Sequence, residues 1–205
     1  MPQLVVLARR PAPGRGKTRL QGRLSLEACA RLQARLLDHT LAVAEAWAGE
    51  TGGTVQLQLA AAGPRSCRRD PWRAWQPQPQ GAGGLGLRLQ RALVTARRRG
   101  NGSVLLIGAD LPDLAVQDLL QASAELRQRP LVLGPAADGG YWLLGLAASV
   151  PTAVAGGRLL AGIPWGGDQV LATTRARADA LGLAVGLLRT AWDLDRPADL
   201  APWLE

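Results

Sequence analysis

The 205-residue chain has no phenylalanine, two cysteines and one histidine, and each scarcity argues against a class of functional site. Cys29 and Cys67 are too few and too far apart for a disulfide framework or a zinc site. His39 falls in the middle of a predicted helix, outside every loop that follows a strand, so a serine-type catalytic triad is not expected. Aromatic residues make up only 4% of the chain, which argues against a stacking platform for single-stranded nucleic acid.

Long apolar runs are also missing, and no predicted segment is long enough to span a membrane. The first residues do not have the pattern of a cleavable signal peptide. A hydrophobic content of 47% over this length suits one sizeable core, so a single domain over residues 1–205 is the simplest organisation. With only two cysteines, the sequence predicts a protein of the reducing cytoplasm.

Lysine is nearly absent although the chain is strongly basic. The net charge is +8, and Lys17 is the only lysine among 24 basic residues. The cations are spread along the chain without a basic tail, which favours phosphorylated small molecules over nucleic acid as partners. A lysine left over by chance is one interpretation of Lys17. The other is a position that needs a compact ammonium where a planar guanidinium would not fit.

Strand and helix patterns alternate along the chain. Strands are predicted over residues 3–8, 54–60, 103–108, 131–133, 141–146 and 183–188. Helices are predicted over residues 26–48, 85–99, 116–129, 167–181 and 197–204, and residues 63–84 are predicted to form a loop. Such alternation is typical of βαβ units, so we expect an α/β fold with a mostly parallel sheet covered on both faces. Ligands of such sheets bind beyond the carboxyl ends of the strands.

The loop after the first strand, within the segment ARRPAPGRGKTRL, contains five cations in eleven residues. It ends like a Walker A loop, but Pro11 stands where that loop requires glycine, so a P-loop is excluded. Glycines that let backbone amides approach a ligand, together with cations, suit a di- or triphosphate. An ordinary basic surface turn is the alternative. The candidate phosphate-binding residues are Arg9, Gly14, Arg15, Gly16, Lys17, Thr18 and Arg19.

The loop after strand 103–108 carries Asp110, at a position where a hard cation such as magnesium is commonly held. The alternative is that Asp110 caps the next helix, but Asp113 lies nearer to that helix and suits this role better. Near the carboxyl terminus, Asp193 and Asp195 lie two residues apart and share one face of an extended segment. They can complete a metal site with Asp110, although Asp195 or Asp199 can instead cap the last helix.

The loop after strand 131–133 contains Asp138, Gly139 and Gly140. Asp-Gly-Gly is a common tight turn. It also allows close backbone approach to a ligand, with one carboxylate directed into the cleft. The residues alone favour neither interpretation over the other.

Taken in order, these segments resemble the radical SAM/selenodomain-associated transferase 1 family, a GT-A-like group among the nucleotide-diphospho-sugar transferases. The K-T-R-L and D-G-G-Y blocks are the specific ones. Two departures are Gly84, where the family pattern has Asp, and Gly166-Gly167 after Trp165, where it has Ser-Thr. The matching segments cover nearly the whole chain: Pro11 to Leu20, Gln80 to Leu89, Gly108 to Leu114, Gly134 to Gly145, Trp165, and Asp193 to Asp195.

The resemblance implies a Rossmann-like, three-layer α/β/α sandwich of the GT-A type. It implies that Lys17 and Arg19 contact the donor phosphates and that Asp110, with Asp193 or Asp195, holds Mg²⁺ or Mn²⁺. Asp138 would act as a catalytic carboxylate together with Lys17. The residues implied to face the sugar or the small-molecule acceptor are Gln80, Gly139, Gly140, Tyr141 and Trp165.

Three functions remain open at this point. The family name favours a glycosyltransferase that uses a nucleotide sugar, and this hypothesis stands first by a small margin. The five-cation loop favours a nucleotidyltransferase that moves NMP from an NTP to a phosphorylated small molecule with release of pyrophosphate. The departure at Gly84 is the chief support for a non-catalytic nucleotide-binding protein.

Overall fold

The secondary structure alternates as the sequence predicts, in a computed structural model that describes residues 1–60 and 71–203. The strands are β1 (Gln3–Arg9), β2 (Thr54–Ala60), β3 (Gln78–Pro79), β4 (Val104–Ile107), β5 (Leu131–Pro135), β6 (Tyr141–Leu146) and β7 (Val185–Leu187). The helices are α1 (Leu26–Thr51), α2 (Leu85–Arg99), α3 (Val116–Glu125), α4 (Thr152–Val154) and α5 (Val170–Ala180). A π-helical turn, Ala155–Leu159, continues α4, and short 3₁₀ helices form at Thr18–Leu20, Arg73–Trp75 and Pro197–Trp203.

The seven strands form one sheet in the order β3-β2-β1-β4-β6-β5-β7. Strand β1 pairs in parallel with β2 and β4, and β7 pairs in parallel with β5. Among the strands of the described residues, only β6 runs antiparallel, and it lies between β4 and β5. The carboxyl ends of the other strands therefore share one edge of the sheet, and the loops that carry the candidate residues start there.

Hydrophobic residues cover both faces of the sheet, as expected for a mostly parallel one. On one face, Leu4, Val6 and Leu57 pack with residues of α1 and α3 around the buried Trp47. On the other face, Val5 and Leu106 pack with α2, α5 and the π-helical turn. Alternate side chains of β1 thus pack on opposite faces of the sheet. Within the described residues, no helix combines the length and apolar character needed to cross a bilayer.

Several element boundaries differ from the predicted ones. Helix α1 continues through Gly49 and ends at Gly52, whose φ of 64° places it in the left-handed region that favours glycine. Its start is as predicted, because the side chain of Ser25 accepts a hydrogen bond from the backbone N–H of Ala28 (3.1 Å). Helix α3 ends at Glu125 and gives way to turns before Pro130, so the predicted end at residue 129 is too late.

The region predicted as a loop over residues 63–84 contains structure in its described part. Strand β3 pairs in parallel with Gln58 and Leu59 of β2. Two residues are too short to give an alternating pattern, so the sequence does not reveal this edge strand. The predicted helix over 197–204 is a 3₁₀ helix, Pro197–Trp203, and Leu204 and Cys67 lie outside the described residues.

Candidate active site at the carboxyl ends of the strands

The loop after β1 combines exposed cations with two unusual backbone conformations. Gly14 has φ of +74°, and the backbone N–H of Arg15 closes a turn on the carbonyl of Ala12 (3.1 Å). Lys17 also lies in the left-handed region (φ 51°, ψ 36°), which costs a non-glycine residue about 1–3 kcal/mol unless other contacts hold it. The loop then enters the 3₁₀ helix Thr18–Leu20. The candidate residues exposed along this loop are Arg9, Gly14, Arg15, Thr18 and Arg19.

Lys17 differs from the other cations because its side chain is buried, with 2% exposed. Its ammonium lies 2.5 Å from Oδ1 of Asp110 and donates to the carbonyl oxygen of Leu194 at 2.7 Å. Oδ1 of Asp195 is 3.6 Å away. Asp110 and Asp195 are themselves about half exposed, at 48% and 45%. Lys17 therefore connects the β1, β4 and β7 loops from beneath, while the carboxylates reach the surface.

The segment after β7 is held in place by backbone and side-chain contacts. The N–H of Leu194 donates to the carbonyl of Asp110 (3.0 Å), which joins this segment to the loop after β4. Arg19 donates to Oδ2 of Asp195 at 3.1 Å. Oδ2 of Asp199 accepts from the N–H groups of Asp195 and Arg196, so Asp199 caps the last helix. The role of Asp195 as a metal ligand stays a prediction.

Asp193 lies among the other candidate carboxylates. Burial, followed by the charges of Asp110 and Asp138, raises the pKa of Asp193 to about 7, and the Lys17 ammonium offsets part of this effect. A carboxyl group that titrates near neutrality reflects negative charge gathered in a partly dehydrated place. The three loops after β4, β5 and β7 thus bring their predicted carboxylates together.

Asp138 and the two glycines after it form the predicted tight turn. Oδ1 of Asp138 accepts from the N–H of Gly140 (2.9 Å), and Asp138 is exposed. Gly139 has φ of +88°, and a Cβ atom there would lie 2.0 Å from the carbonyl oxygen of Asp168. The turn therefore requires glycine at this position and presses against the residues before α5. The tight-turn interpretation is confirmed, and the role of Asp138 toward a ligand stays a prediction.

The residues predicted to face the acceptor fall into two groups. Tyr141 and Trp165 are partly buried and meet edge to face, with ring centroids 6.0 Å apart. Burial raises the pKa of the Tyr141 hydroxyl, so this group stays protonated near neutrality. Gln80 is 5% exposed, and its amide donates to the carbonyls of Ala8 and Gln58, both at 2.9 Å. Gln80 thus ties three strand ends together, and its contact with an acceptor stays a prediction.

Arg189, just after β7, is a structural residue of the site that the sequence analysis does not single out. Its guanidinium donates to both carboxylate oxygens of Asp118 (2.7 and 2.9 Å) and to Asp113 (2.8 Å). It also lies 6.0 Å from the ring centroid of Trp142. An arginine at the end of a predicted parallel strand is the signal that could have drawn attention to it.

The same contacts correct the predicted cap of α3. Asp113 is engaged with Arg189, and it is Asp118 whose Oδ2 accepts from the N–H of Ala115 (2.9 Å) at the start of the helix. Burial acts to raise the pKa of Asp118. The hydrogen bonds from Arg189 and Ala115 outweigh that effect, and the pKa of Asp118 is lowered overall.

Gln33 of α1 is a second residue that the sequence does not reveal, since nothing marks a glutamine in mid-helix. It is buried beneath the loop, and its Oε1 would lie 1.8 Å from a Cβ at position 16. Within the part of the chain that the structure describes, this oxygen has no hydrogen-bond partner. The close approach explains why Gly16 carries no side chain.

Comparison with known proteins identifies the family. Residues 40–167 match the family described as "Uncharacterized protein conserved in bacteria (DUF2064)". A 3-phospho-D-glycerate guanylyltransferase from Phenylobacterium zucineum (strain HLK1) is 35% identical over 186 residues, covering 84% of this chain and 76% of the relative. The chain belongs to the DUF2064 family.

Solved structures share the fold of this DUF2064 protein. A protein from Desulfovibrio desulfuricans G20, assigned to the nucleotide-diphospho-sugar transferases, has a TM-score of 0.80 at 25% identity, covering 97% of this chain and 84% of its own. Rv0371c from Mycobacterium tuberculosis H37Rv, solved in complex with manganese, has a TM-score of 0.52 at 22% identity, covering 99% and 97%. The predicted fold class is confirmed, and with the guanylyltransferase relative the DUF2064 chain is an enzyme of the transferase class.

The chemistry of the clustered carboxylates in the DUF2064 protein fits a divalent cation. Asp110 and Asp193 repel each other, as the raised pKa of Asp193 reflects, and a cation would relieve this repulsion. Mg²⁺ is usually held by one or two carboxylates plus substrate phosphates and waters. Within residues 1–60 and 71–203, no three His, Cys, Asp or Glu side chains form an all-protein metal cage. Asp110 and Asp193 are the residues whose donor chemistry fits such a cation.

The two departures from the family pattern, at Gly84 and at Gly166-Gly167, lie at the start of a helix and in a turn. Gly84 is the N-cap of α2 in an extended conformation, and a Cβ there would meet no atom of the described residues within 4 Å. Gly166 has φ of +88°. Trp165, next to it, packs its indole edge against Gly86 of α2, where there is no room for a Cβ. The missing Asp at position 84 thus corresponds to a missing helix cap in this DUF2064 protein.

Proposed function

We propose that this protein is a nucleotidyltransferase that moves GMP from GTP to a phosphorylated small acid of the 3-phosphoglycerate type, with release of pyrophosphate. The observation that carries the proposal is the 35% identity to a 3-phospho-D-glycerate guanylyltransferase over 84% of this chain. The K-T-R-L and D-G-G-Y motifs also support a place in the radical SAM/selenodomain-associated transferase 1 family, which we include in the proposal.

The charge distribution of the site supports transfer from a triphosphate. Arg9, Arg15 and Arg19 are exposed around a loop whose glycines leave the backbone accessible. Guanidinium groups make paired hydrogen bonds to phosphate oxygens, and their charge stabilises the negative charge that develops on a leaving pyrophosphate. A triphosphate carries more negative charge into this loop than the diphosphate of a nucleotide sugar. The loop thus supports an NTP as donor.

A divalent cation, Mg²⁺ or Mn²⁺, is part of the proposal. Asp110 and Asp193 are the residues that would hold it, with Asp195 as a further candidate. Once bound, the cation would neutralise phosphate charge and act as a Lewis acid at the reacting phosphate. The protein's own contribution is to keep these carboxylates together, through the contacts of Lys17 with Asp110 and Leu194.

The chemical step is a displacement at the α-phosphorus of the NTP. An oxygen of the acceptor phosphate forms the new P–O bond, and the bond between the α-phosphorus and the bridging oxygen to the β-phosphate breaks. Pyrophosphate leaves with the electron pair. A phosphate monoester is already mostly ionised at neutral pH, so the attacking oxygen has no proton that must be removed. Asp138 then serves to position the acceptor through its turn.

A glycosyltransferase is the second candidate, favoured by the similarity to the Desulfovibrio protein at a TM-score of 0.80. In that reaction, an acceptor hydroxyl attacks the anomeric carbon of the donor sugar and the nucleoside diphosphate leaves. A hydroxyl must lose its proton, and in this proposal the exposed carboxylate of Asp138 would act as general base. The two candidates therefore differ in the task that they give to Asp138.

The test is an activity panel with purified protein, Mg²⁺ or Mn²⁺, and 3-phospho-D-glycerate as acceptor. We expect pyrophosphate release with GTP, and a new diphosphate signal in the ³¹P NMR spectrum that requires the acceptor. ATP, CTP and UTP serve as matched donors, and D-glycerate without the phosphate serves as the control acceptor. Release of a nucleoside diphosphate from a nucleotide sugar, without reaction of any NTP, would replace the proposal by the glycosyl reaction. The cytoplasm, where NTPs are abundant, is the location that we propose.

A further inference from the structure

The Lys17 ammonium occupies a shell of oxygen atoms. Its partners are a carboxylate oxygen of Asp110 at 2.5 Å and the carbonyl oxygen of Leu194 at 2.7 Å, with Asp195 at 3.6 Å. Carboxylate and carbonyl oxygens are also the ligands that hard divalent cations prefer. Lys17 thus holds the kind of position that a bound cation would hold, and its side chain is only 2% exposed.

In this position, Lys17 cannot also contact a nucleotide in the cleft. The exposed cations of the loop are arginines, such as Arg15 and Arg19, whereas the lysine ammonium is turned inward beneath the carboxylates. A direct contact between Lys17 and donor phosphates would require the side chain to leave Asp110. The left-handed backbone at Lys17, with Gly16 before it, makes this the strained point of the loop.

A divalent cation on Asp110 would compete with the ammonium. Two positive charges a few ångströms apart in a partly dehydrated site repel each other strongly. Asp110 binds the ammonium through Oδ1 while about half of its side chain faces the surface. A cation that arrives with a nucleotide brings phosphates, and these offer the displaced ammonium a new anionic partner. A cation that arrives alone offers none.

Resting on the proposed function, we infer that Lys17 is a resident counter-cation of Asp110, which gives up this place to a divalent cation when the nucleotide binds. In the free protein, Lys17 keeps the carboxylates together and weakens the binding of metal alone. In the loaded protein, the same ammonium turns to the phosphates. Metal and nucleotide therefore enter together, and each binds poorly without the other.

The test measures Mn²⁺ binding to the nucleotide-free protein by electron paramagnetic resonance. Lys17→Met removes the ammonium, and we expect Mn²⁺ to bind at least about tenfold more tightly than to the wild type. Arg23→Met is the matched control, because it removes one positive charge from an exposed arginine shortly after the same loop and outside the candidate site. We expect a change of less than about threefold for this control, since screening weakens an exposed charge. Asp110→Asn in the Lys17→Met background should return binding to the wild-type level or below.

The results distinguish an exchange at Asp110 from a general effect of net charge. An equal gain in both variants would mean that only net charge matters, and this would overturn the exchange. Unchanged or weaker binding in Lys17→Met would overturn it as well. Because no nucleotide and no turnover enter this assay, a protein that shows the exchange but does not use GTP would refute only the proposed function.

A second measurement needs no substitution. Since Lys17 is the only lysine, ¹⁵N-lysine labelling gives a single side-chain signal. We expect this signal to be sheltered from solvent exchange in the free protein and to shift when Mg²⁺ and GTP are added together. Mg²⁺ alone should leave it nearly unchanged. A signal that stays in place at saturating Mg²⁺ and nucleotide, with saturation shown by a thermal shift, would overturn the inference.

Discussion

Arg189 offers the sharpest test of how the site is held together. It joins the segment after β7 to the loop and helix after β4, through two hydrogen bonds to Asp118 and one to the side chain of Asp113. The Asp118 side chain is only 9% exposed. Arg189→Met keeps most of the side-chain length and its packing on Trp142 but removes every donor. Among the described residues, the variant leaves a nearly buried carboxylate with the Ala115 N–H as its one remaining partner.

The expected cost can be worked from these contacts. Breaking a fully buried ion pair by removing one partner costs about 3–5 kcal/mol. Arg189 is 37% exposed, so water screens part of its interaction, and we expect a loss of about 2 kcal/mol in the free energy of unfolding. Arg129→Met is the matched control, because Arg129 pairs with Glu125 on the surface, with 47% of its side chain exposed. It should cost less than about 0.5 kcal/mol.

Urea denaturation at two pH values checks both the magnitude and its cause. The pKa of Asp118 is lowered in the folded protein, so its stabilising effect is present above the ordinary value of 3.8 and is lost as the pH falls through the lower folded value. Without Arg189, burial is opposed by the weaker effect of the Ala115 hydrogen bond, so the pKa of Asp118 should rise. Acidification then favours the folded state at this residue. The difference in the free energy of unfolding between wild type and Arg189→Met should therefore be smaller at pH 4 than at pH 7. This account would be refuted if Arg189→Met lost no more free energy of unfolding at pH 7 than Arg129→Met does. A larger loss at pH 4 than at pH 7 would refute it as well.

Three further substitutions test single features of the site. Asp110→Asn should lower metal-dependent turnover by roughly a hundredfold or more, as steady-state kinetics would reveal. Calorimetry should also show a lower melting temperature, because the buried Lys17 ammonium loses its anionic partner. Gly139→Ala should cost about 2–3 kcal/mol in urea unfolding, because its Cβ would meet the Asp168 carbonyl at a left-handed φ. Gly84→Asp should add a few tenths of a kcal/mol, since it supplies the side-chain cap that α2 lacks, and a lower stability would contradict the assignment of this N-cap.

The sequence predicts the fold well because the signals of a parallel sheet are local. Each buried strand and each amphipathic helix can be recognised in its own segment, so β1, α2 and β6 lie within a few residues of their predicted bounds. The sequence does not predict strand β3, because its two residues form a strand only by pairing with Gln58 and Leu59. The antiparallel direction of β6 is likewise a property of tertiary pairing.

Part of the candidate site can be predicted from the sequence in the same way. The structure brings together the carboxylates predicted after β4, β5 and β7, and their function stays a prediction. The sequence could not tell that Lys17 points inward, because its partners Asp110 and Leu194 lie 93 and 177 residues away along the chain. Nor could it reveal Arg189, whose acidic partners lie more than 70 residues earlier.

Asp138 separates the two candidate reactions most directly. An acceptor phosphate attacks without losing a proton, whereas an acceptor hydroxyl needs a base. Asp138→Asn keeps an oxygen that can accept from the N–H of Gly140, so the tight turn should persist. If the protein is a nucleotidyltransferase, the variant should retain transfer to a phosphorylated acceptor within about tenfold. If it transfers a sugar to a hydroxyl, the loss should be roughly 10²–10⁴-fold and should follow kcat. Initial rates with saturating donor measure this directly, and a large loss of transfer to a phosphate acceptor would show that Asp138 has a task beyond positioning.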